Sequence, residues 1–172
     1  MKHFLRARDP RGFTLIEIIA TLVIIGIVVA VIINRVIGTS DTSRVAQESV
    51  IKNHIRYAQG MAMKRGGIWG IKCDGPDYWL FRTNAPDTPG NQIVLPGEDN
   101  AKVTLANKNV TMTASSGPTF TVSFDATGRP YTDAAINMPV SAGNPVTITV
   151  DSIPAGSGTP SFNVTPETGF IP

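Results

Sequence analysis

The chain has 172 residues and a formal net charge of +2, with 16 glycines, 13 prolines and one cysteine. This length accommodates one long helix and one modest globular domain. A single cysteine excludes an intrachain disulfide and a metal site built on cysteine pairs. Cys73 follows an apolar run, so it is either a buried small hydrophobic residue or a reactive thiol, and the first interpretation is favoured.

The charge is unevenly distributed along the chain. Residues 1–12 hold four basic residues and one aspartate, whereas after residue 65 the acidic residues outnumber the basic ones. The C-terminal part is therefore mildly acidic. That balance gives no support to the binding of nucleic acid or anionic lipid by this part of the chain.

From Phe13 to Ile33 the sequence is almost continuously apolar, contains no proline and has Glu17 as its only charged residue. A segment of this length predicts a membrane-spanning helix. The basic residues before it place the N-terminus in the cytoplasm and send the C-terminus across the membrane. A carboxylate inside such a helix costs about 2.5–3.5 kcal/mol or more unless it is paired or neutralised. The segment lacks the cleavage pattern of a secretory signal peptide, so we expect it to be retained.

Residues 11–17 read Arg-Gly-Phe-Thr-Leu-Ile-Glu, behind a basic leader and before the apolar segment. They resemble the prepilin cleavage and methylation motif of type IV pilins and type II secretion pseudopilins. The resemblance implies that a prepilin peptidase cuts between Gly12 and Phe13 and that Phe13 becomes the N-methylated N-terminus. We hypothesise that Glu17 then pairs with the N-terminal amine of a neighbouring subunit and so sets the register of assembly.

The helical pattern continues beyond the apolar segment. An apolar stripe recurs at helical spacing, with most of the charged residues off it; its members are Ile51, Ile55, Ala58 and Ala62. We predict one helix from about residue 13 to about residue 64, with a bend or short break at residues 38–43. Gly66 and Gly67 provide the stop signal.

The remainder alternates apolar and polar residues in short runs between turn residues, as expected for antiparallel strands. The predicted strands are 68–73, 78–83, 103–105, 110–113, 120–124 and 146–150, and the predicted loops are 84–91 and 155–160. The turn Asp74-Gly75-Pro76-Asp77 predicts a hairpin between the first two strands. The fold class is α+β: a long N-terminal α-helix packed on an antiparallel β-sheet head, the architecture of pilins.

The pattern and the resemblance together divide the chain into four expected segments. The resemblance implies that residues 1–12 are a leader that is cleaved, and that residues 13–37, the predicted transmembrane helix, form the filament core. Residues 38–65 are an amphipathic helix that packs on the head. Residues 66–172 are a β-rich periplasmic head.

No pattern in the sequence predicts catalysis, a metal site or a cofactor. The only histidines are His3 in the leader and His54, which we expect on the exposed part of the helix. A calcium site would need clustered carboxylates, but Asp125, Asp133 and Asp151 are scattered. No nucleophile elbow or phosphate-binding loop occurs. We therefore predict that the protein is not an enzyme.

Three further stretches, residues 54–65, 124–129 and 164–169, resemble segments of minor pilins and pseudopilins of the GspH/FimT type. Some FimT-like minor pilins capture DNA through basic residues near the C-terminus. This chain has no lysine or arginine after Arg129. Nucleic acid is therefore not an expected partner.

The sequence thus predicts a pilin-like structural subunit, most like a minor subunit of a type II secretion pseudopilus or type IV pilus. The implied partners are the prepilin peptidase, other pilin or pseudopilin subunits and the inner-membrane assembly platform. The expected location is the bacterial inner membrane, as a single-pass protein with a periplasmic head, and then the filament, including its part at the cell surface. The alternatives are a major type IV pilin, a membrane-anchored periplasmic binding module that does not polymerise, and an enzyme domain on a membrane tether.

Overall fold

The computed structural model describes residues 14–153 and 160–172, apart from the side chains of residues 30–43. One helix, α1, spans Leu15–Arg65. Its backbone is helical throughout residues 38–43, where the sequence predicts a bend or a short break. An acidic residue in the first turn and two basic residues in the last turn suit the helix dipole at both ends. By its internal contacts the chain divides into two units, Met1–Gly38 and Thr39–Pro172.

Nine strands follow the helix within the described residues. They are β1 (Trp69–Asp74), β2 (Asp77–Arg82), β3 (Gln92–Ile93), β4 (Lys102–Thr104), β5 (Val110–Ala114), β6 (Thr119–Phe124), β7 (Pro130–Tyr131), β8 (Val146–Ser152) and β9 (Ser161–Val164). Two 3-10 turns lie between them, at Pro89–Asn91 and Leu105–Lys108. The helix-plus-strand content confirms the α+β class.

The strands form two antiparallel sheets, where the sequence predicted a single one. Six strands make the first sheet, in the order β3-β2-β1-β6-β7 with β4 also paired to β2, and β5-β8-β9 make the second. The chain leaves the first sheet after β4 through the 3-10 turn, and Asn109 ends that turn in the left-handed conformation with φ 55°. This reversal carries β5 away from β4 and into register with β8.

The predicted hairpin between β1 and β2 is confirmed. Cys73 pairs with Tyr78 beside the turn, and the register continues to Trp69 opposite Arg82. Gly75 has φ +104°, a conformation that glycine adopts without strain. The Asp74 carboxylate accepts the N–H of Asp77 at 3.0 Å, which closes the turn.

Gly70 allows β1 to sit between its two neighbouring strands. A Cβ atom at this position would lie 2.5 Å from the Val122 carbonyl oxygen and 2.7 Å from the Phe81 ring. Neither distance is compatible with ordinary van der Waals contact, and one neighbour is backbone. A side chain at residue 70 would therefore force β1 and β6 apart.

We call residues 15–38 of α1 its proximal half and residues 39–65 its distal half. The core of the second unit lies between the distal half of α1 and the two sheets. The predicted helix stripe is confirmed, since its four members are at most 1% exposed: Ile51, Ile55, Ala58 and Ala62. They join one cluster with buried side chains from both sheets. Burial of each large aliphatic or aromatic side chain contributes about 1.5–3 kcal/mol, so this cluster is the main source of stability for the head.

Candidate assembly site

The first turn of α1 is held by Thr14, the residue directly before the helix. Its hydroxyl accepts the N–H of Glu17 at 3.3 Å, while its carbonyl accepts the N–H of Ile18 at 3.2 Å. A threonine cap followed by glutamate at the third helical position has the spacing of a capping box. Glu17 therefore has a favourable place in its own helix, beside the positive end of the helix dipole. The Thr-Leu-Ile-Glu spacing carries this signal, although the sequence analysis missed it.

The helix then presents apolar side chains around its whole circumference. Large hydrophobic residues with 49–76% of their surface exposed fill the stretch from Leu15 to Val29: Leu15, Ile16, Ile18, Ile19, Leu22, Val23, Ile24, Ile25, Ile27, Val28 and Val29. Glu17 is exposed among them. A helix that is hydrophobic on all sides is normally buried in a membrane or a protein core. We call these eleven residues the apolar helix surface.

Parts of the predicted site lie outside the described residues. These are the cleavage position, Gly12 and Phe13, and the side chains of residues 30–37 within the predicted membrane segment. Among the residues that the structure does describe, no helical stretch is both long enough and apolar enough to cross a membrane.

The distal half of α1 makes polar contacts with the C-terminal end of the chain and with the turn after β6, and sequence reasoning missed both. Arg56 donates from Nη2 and Nε to the carbonyl oxygen of Ile171, at 2.8 and 3.3 Å. Gln59 donates from Nε2 to the carbonyls of Gly128 and Thr168, at 2.9 and 2.8 Å. The only sequence signal was the i, i+3 spacing of two long polar side chains, which places them on one face of the helix.

His54 lies in the core, so the prediction of an exposed histidine is wrong. Its side chain is 3% exposed, and its ring contacts both β2 and the loop that follows β3. The carbonyl of Pro96 can only accept, so Nε2–H donates to it at 3.1 Å, and Nδ1 accepts from the Tyr78 hydroxyl at 3.0 Å. Both nitrogens of the neutral ring are satisfied, which allows this polar residue to be buried. Desolvation lowers the pKa of His54 below its ordinary value.

Arg44 is buried, although the sequence analysis expected most of the charged residues of the helix to lie off its buried face. It is only 6% exposed, and its guanidinium pairs with the Asp151 carboxylate of β8 at 3.8 Å. The contact joins the helix to the second sheet. One of the three aspartates considered for calcium thus has a structural partner.

The other two aspartates stabilise turns. The Asp125 carboxylate accepts hydrogen bonds from Thr127, Arg129 and Tyr131, at 2.6–3.1 Å. Partial burial raises the pKa of Asp125, but these hydrogen bonds outweigh it and hold the pKa below its ordinary value. Asp133 accepts the N–H groups of residues 137 and 138. Within the described part of the chain, no group of three or more His, Cys, Asp or Glu side chains is arranged to hold a metal ion.

Cys73 is a buried core residue, as the favoured interpretation predicted. It is fully buried in β1, and burial raises the pKa of its thiol to about 11. A thiol of such high pKa is almost entirely protonated near neutral pH and is therefore a poor nucleophile.

Comparison with known families decides what kind of protein carries this helix and head. Residues 50–161 match the family of type II transport protein GspH, and residues 8–33 match the prokaryotic N-terminal methylation motif. The chain belongs to the GspH family. No curated protein and no solved structure matches it.

The two matches cover the two parts of the chain that the sequence analysis singled out. The methylation motif spans Gly12, Phe13, Glu17 and the whole apolar helix surface, whereas the GspH match covers the distal helix from residue 50 and the strands from β1 to β8. This GspH-type chain is thus a pilin-like pseudopilin subunit that carries the N-methylation motif. Family membership implies prepilin processing and assembly with other pilin or pseudopilin subunits.

Proposed function

We propose that the chain is a minor structural subunit of a type II secretion pseudopilus or a type IV pilus. A prepilin peptidase cleaves it after Gly12, the new N-terminus at Phe13 is methylated, and the inner-membrane assembly platform adds the subunit to the filament through α1. Before assembly it is a single-pass inner-membrane protein with a cytoplasmic N-terminus and a periplasmic head. It has no catalytic activity of its own.

The observation that carries this proposal is the apolar helix surface. Eleven large hydrophobic side chains between Leu15 and Val29 are 49–76% exposed, and burial stabilises a fully exposed side chain of this kind by about 1.5–3 kcal/mol, so covering this surface contributes several kcal/mol in total. A lipid bilayer can cover such a surface before assembly, and neighbouring helices can cover it afterwards. Transfer between these two apolar surroundings costs little, so subunits can enter and leave a filament reversibly.

Glu17 supports an ordered rather than an indiscriminate association of these helices. A carboxylate among exposed apolar side chains is unfavourable in hydrocarbon unless it meets a cation or is neutralised. Cleavage before Phe13 creates an amine near the same end of the helix, and a neighbouring subunit can bring that amine to Glu17. The pairing satisfies the carboxylate only at one register between neighbouring helices.

The mass of the mature chain tests the processing step. We expect the protein isolated from membranes to lack residues 1–12 and to carry one additional methyl group on Phe13. The substitution Gly12→Ala, at the position before the cut, should leave the leader attached. An intact leader on the wild-type chain would contradict the proposal and would support a plain membrane anchor instead.

Two substitutions at Glu17 separate its possible roles. Glutamine can replace glutamate in a capping box but carries no charge, so Glu17→Gln keeps the local role and removes the charge. We expect Glu17→Gln and Glu17→Ala to insert into the membrane normally and to be lost from purified filaments by about tenfold or more. Normal incorporation of Glu17→Gln, with loss of Glu17→Ala, would assign the residue to helix capping and not to assembly.

Glu48→Ala is the matched control, because Glu48 lies on the same helix and pairs with Lys52 at 3.0 Å within the second unit. A partly exposed pair of this kind contributes little to stability. We expect this variant to enter filaments at the wild-type level.

A further inference from the structure

One edge of the first sheet is only partly covered by its neighbouring strand. β6 pairs with β1 along its whole length, from Thr119 to Phe124. On the other side β7 pairs with only two residues of β6, Ser123 and Phe124. Among the described residues, no strand pairs with this side of β6 at residues 119–122.

The direction of the main-chain groups follows from the hydrogen bonds around the sheet. Along an antiparallel strand, the N–H and C=O groups of successive residues point alternately to the two sides. Thr83 donates its N–H to the carbonyl of Ile68 at 2.9 Å, so every second residue from 68 onward faces β2. Ile71 and Cys73 therefore face β6, and their partners Val122 and Phe120 face β1.

Thr119 and Thr121, which alternate with those residues, direct their main-chain groups away from β1. The next turn agrees with this, since Asp125 donates its N–H at 3.2 Å to the carbonyl of Arg129, on the β7 side. No loop in the described part of the chain hydrogen-bonds to the main chain of Thr119 or Thr121. Two donors and two acceptors thus line the uncovered edge.

A groove of about 350 Å³ runs along this edge. It is lined by Thr119, Phe120 and Thr121 of β6, by the turn at 114–116 and by residues of the 132–146 segment. Phe120 and Val146 are buried and give the groove an apolar floor, whereas Met138 is 52% exposed on its wall. The lining contains no ionisable side chain.

We propose that this groove binds an extended, uncharged peptide segment of another protein, which adds a short strand to the edge of β6. Strand addition uses main-chain hydrogen bonds for affinity and alternate side chains for specificity. Here Thr119 and Thr121 offer the hydrogen bonds, and the apolar floor receives every second side chain of the peptide. A charged peptide would lose hydration in the groove without gaining a partner of opposite charge.

The wall opposite the edge favours a single strand over pairing between two copies of this chain. Edge-to-edge pairing of two sheets needs an open edge on both. In this head the 132–146 segment follows β7 on this side of β6, and five of its residues line the groove. A second copy would have to bring its own wall into the same space.

Amide hydrogen exchange of the full-length protein in detergent micelles, followed by NMR, tests the proposal in two steps. Without a ligand, the amides of Thr119 and Thr121 should exchange quickly, while those of Phe120 and Val122 should be protected by β1. A capped hexapeptide of alternating threonine and valine should then slow exchange at Thr119 and Thr121, with half-maximal effect below about 1 mM. Two further peptides carry N-methyl groups on alternate residues, one on the odd residues and one on the even residues, so that each blocks one edge of the extended peptide. The peptide whose blocked edge would pair with β6 should no longer slow the exchange.

Substitutions on the chain provide matched controls. Met138→Lys places a charge on the wall of the groove and should weaken peptide binding about tenfold or more. Met63→Lys changes a methionine of similar exposure, 58% against 52%, on α1 outside the groove, and should bind as the wild type does.

Three results would overturn the proposal. They are protection of Thr119 and Thr121 in the free protein, no binding of the hexapeptide up to several times 1 mM, and equal binding by the Met138→Lys variant. If the first of these results grows with protein concentration alone, it assigns the edge to a second copy of the chain. None of these measurements depends on filament assembly, so a failure here leaves the proposed function untouched.

Discussion

The two halves of α1 contain similar apolar residues, but these residues are exposed in the proximal half and buried in the distal half. In the proximal half, isoleucines such as Ile24 and Ile27 are 60% and 62% exposed, whereas Ile51 and Ile55 in the distal half are each 1% exposed. The apolar residues of the distal half lie on one face. Polar residues beside that face, such as Arg56, form hydrogen bonds to the rest of the head. From Leu15 to Val29 the proximal half has no polar face, and Glu17 is the only charged residue of that stretch.

This difference in exposure indicates which surroundings can cover each half of the helix. A one-sided stripe fits a single neighbour that is always present, and here that neighbour is the chain's own pair of sheets. An apolar surface on all sides fits surroundings that can change from one apolar phase to another. The distal half should therefore govern the stability of the head, and the proximal half should govern insertion and assembly.

The largest expected difference in stability comes from truncating one isoleucine to alanine in each half of the helix. Ile55→Ala removes a fully buried side chain from the core and should lower the free energy of unfolding of the head by about 2–5 kcal/mol. Ile24→Ala, on the apolar helix surface, should change it by less than about 0.5 kcal/mol. Denaturant unfolding of both full-length variants in the same detergent measures the contrast. Equal losses would mean that the two halves of α1 unfold as one unit with the head.

A smaller effect is expected from the contact between the helix and the C-terminal segment. Arg56→Ala removes two hydrogen bonds to the Ile171 carbonyl and should destabilise the head by about 1–2 kcal/mol, because Ile171 is buried and its carbonyl loses a charged donor. Arg65→Ala removes an exposed arginine from the end of the same helix and should cost a few tenths of a kcal/mol at most. Thermal unfolding of the two variants compares them, and similar shifts in Tm would show that the contact to Ile171 contributes nothing specific.

Acidification should lower the free energy of unfolding of the head, because His54 becomes protonated. Burial lowers the pKa of His54 in the folded head, so the unfolded chain binds this proton more readily. Stability should be full above the unfolded pKa of about 6.5 and should fall as the pH drops from there towards the lower folded pKa. Glu98 and Lys108 face the ring with opposite charges, and Tyr78 must give up its donor role when Nδ1 is protonated.

The pH dependence is measurable because the chain has only one other histidine, His3 in the predicted leader. Unfolding free energies between pH 8 and pH 5 should decline for the wild type, whereas His54→Asn should be nearly flat over that range. The pKa of Asp125 is also lowered in the folded head. Its contribution to the stability of the head is lost only as the pH falls below the ordinary pKa of a carboxyl group, which lies outside this range. A wild-type profile as flat as that of the variant would show that His54 titrates normally.

The sequence predicted the helix and six of the nine described strands, because a repeating pattern marks them, and it missed β3, β7 and β9. The helical stripe and the β1–β2 hairpin follow from periods of 3.6 and 2 and from a Gly-Pro turn. The two-residue strands β3 and β7 could not be predicted, since tertiary pairing alone defines them. The division into two sheets depends on a left-handed turn at Asn109 that no local pattern requires.

His54 and Glu17 show how far the site could be predicted. His54 lies three residues after Ile51 and four before Ala58, so its spacing placed it on the buried face, and polarity alone led to the wrong expectation. Its hydrogen-bond partners, Tyr78 and Pro96, could not be predicted, because they are distant in sequence. For Glu17 the motif predicted a role in assembly, and that remains a prediction.

The smallest expected effect uses one glycine in each half of the helix. Neither Gly26 nor Gly60 has an atom within 4 Å of the position of an added Cβ, so alanine fits at both in the single subunit. Gly60→Ala should stabilise the head by about 0.5–1 kcal/mol, since alanine favours the helix. Gly26→Ala should leave the stability of the head unchanged and should act only on assembly, because small residues let helices approach closely in apolar surroundings. A reduced amount of Gly26→Ala in filaments, with Gly60→Ala at the wild-type level, would place a neighbouring helix against Gly26. An equal gain in head stability from both substitutions would instead show that the two halves of α1 are energetically one element, contrary to the division drawn between them.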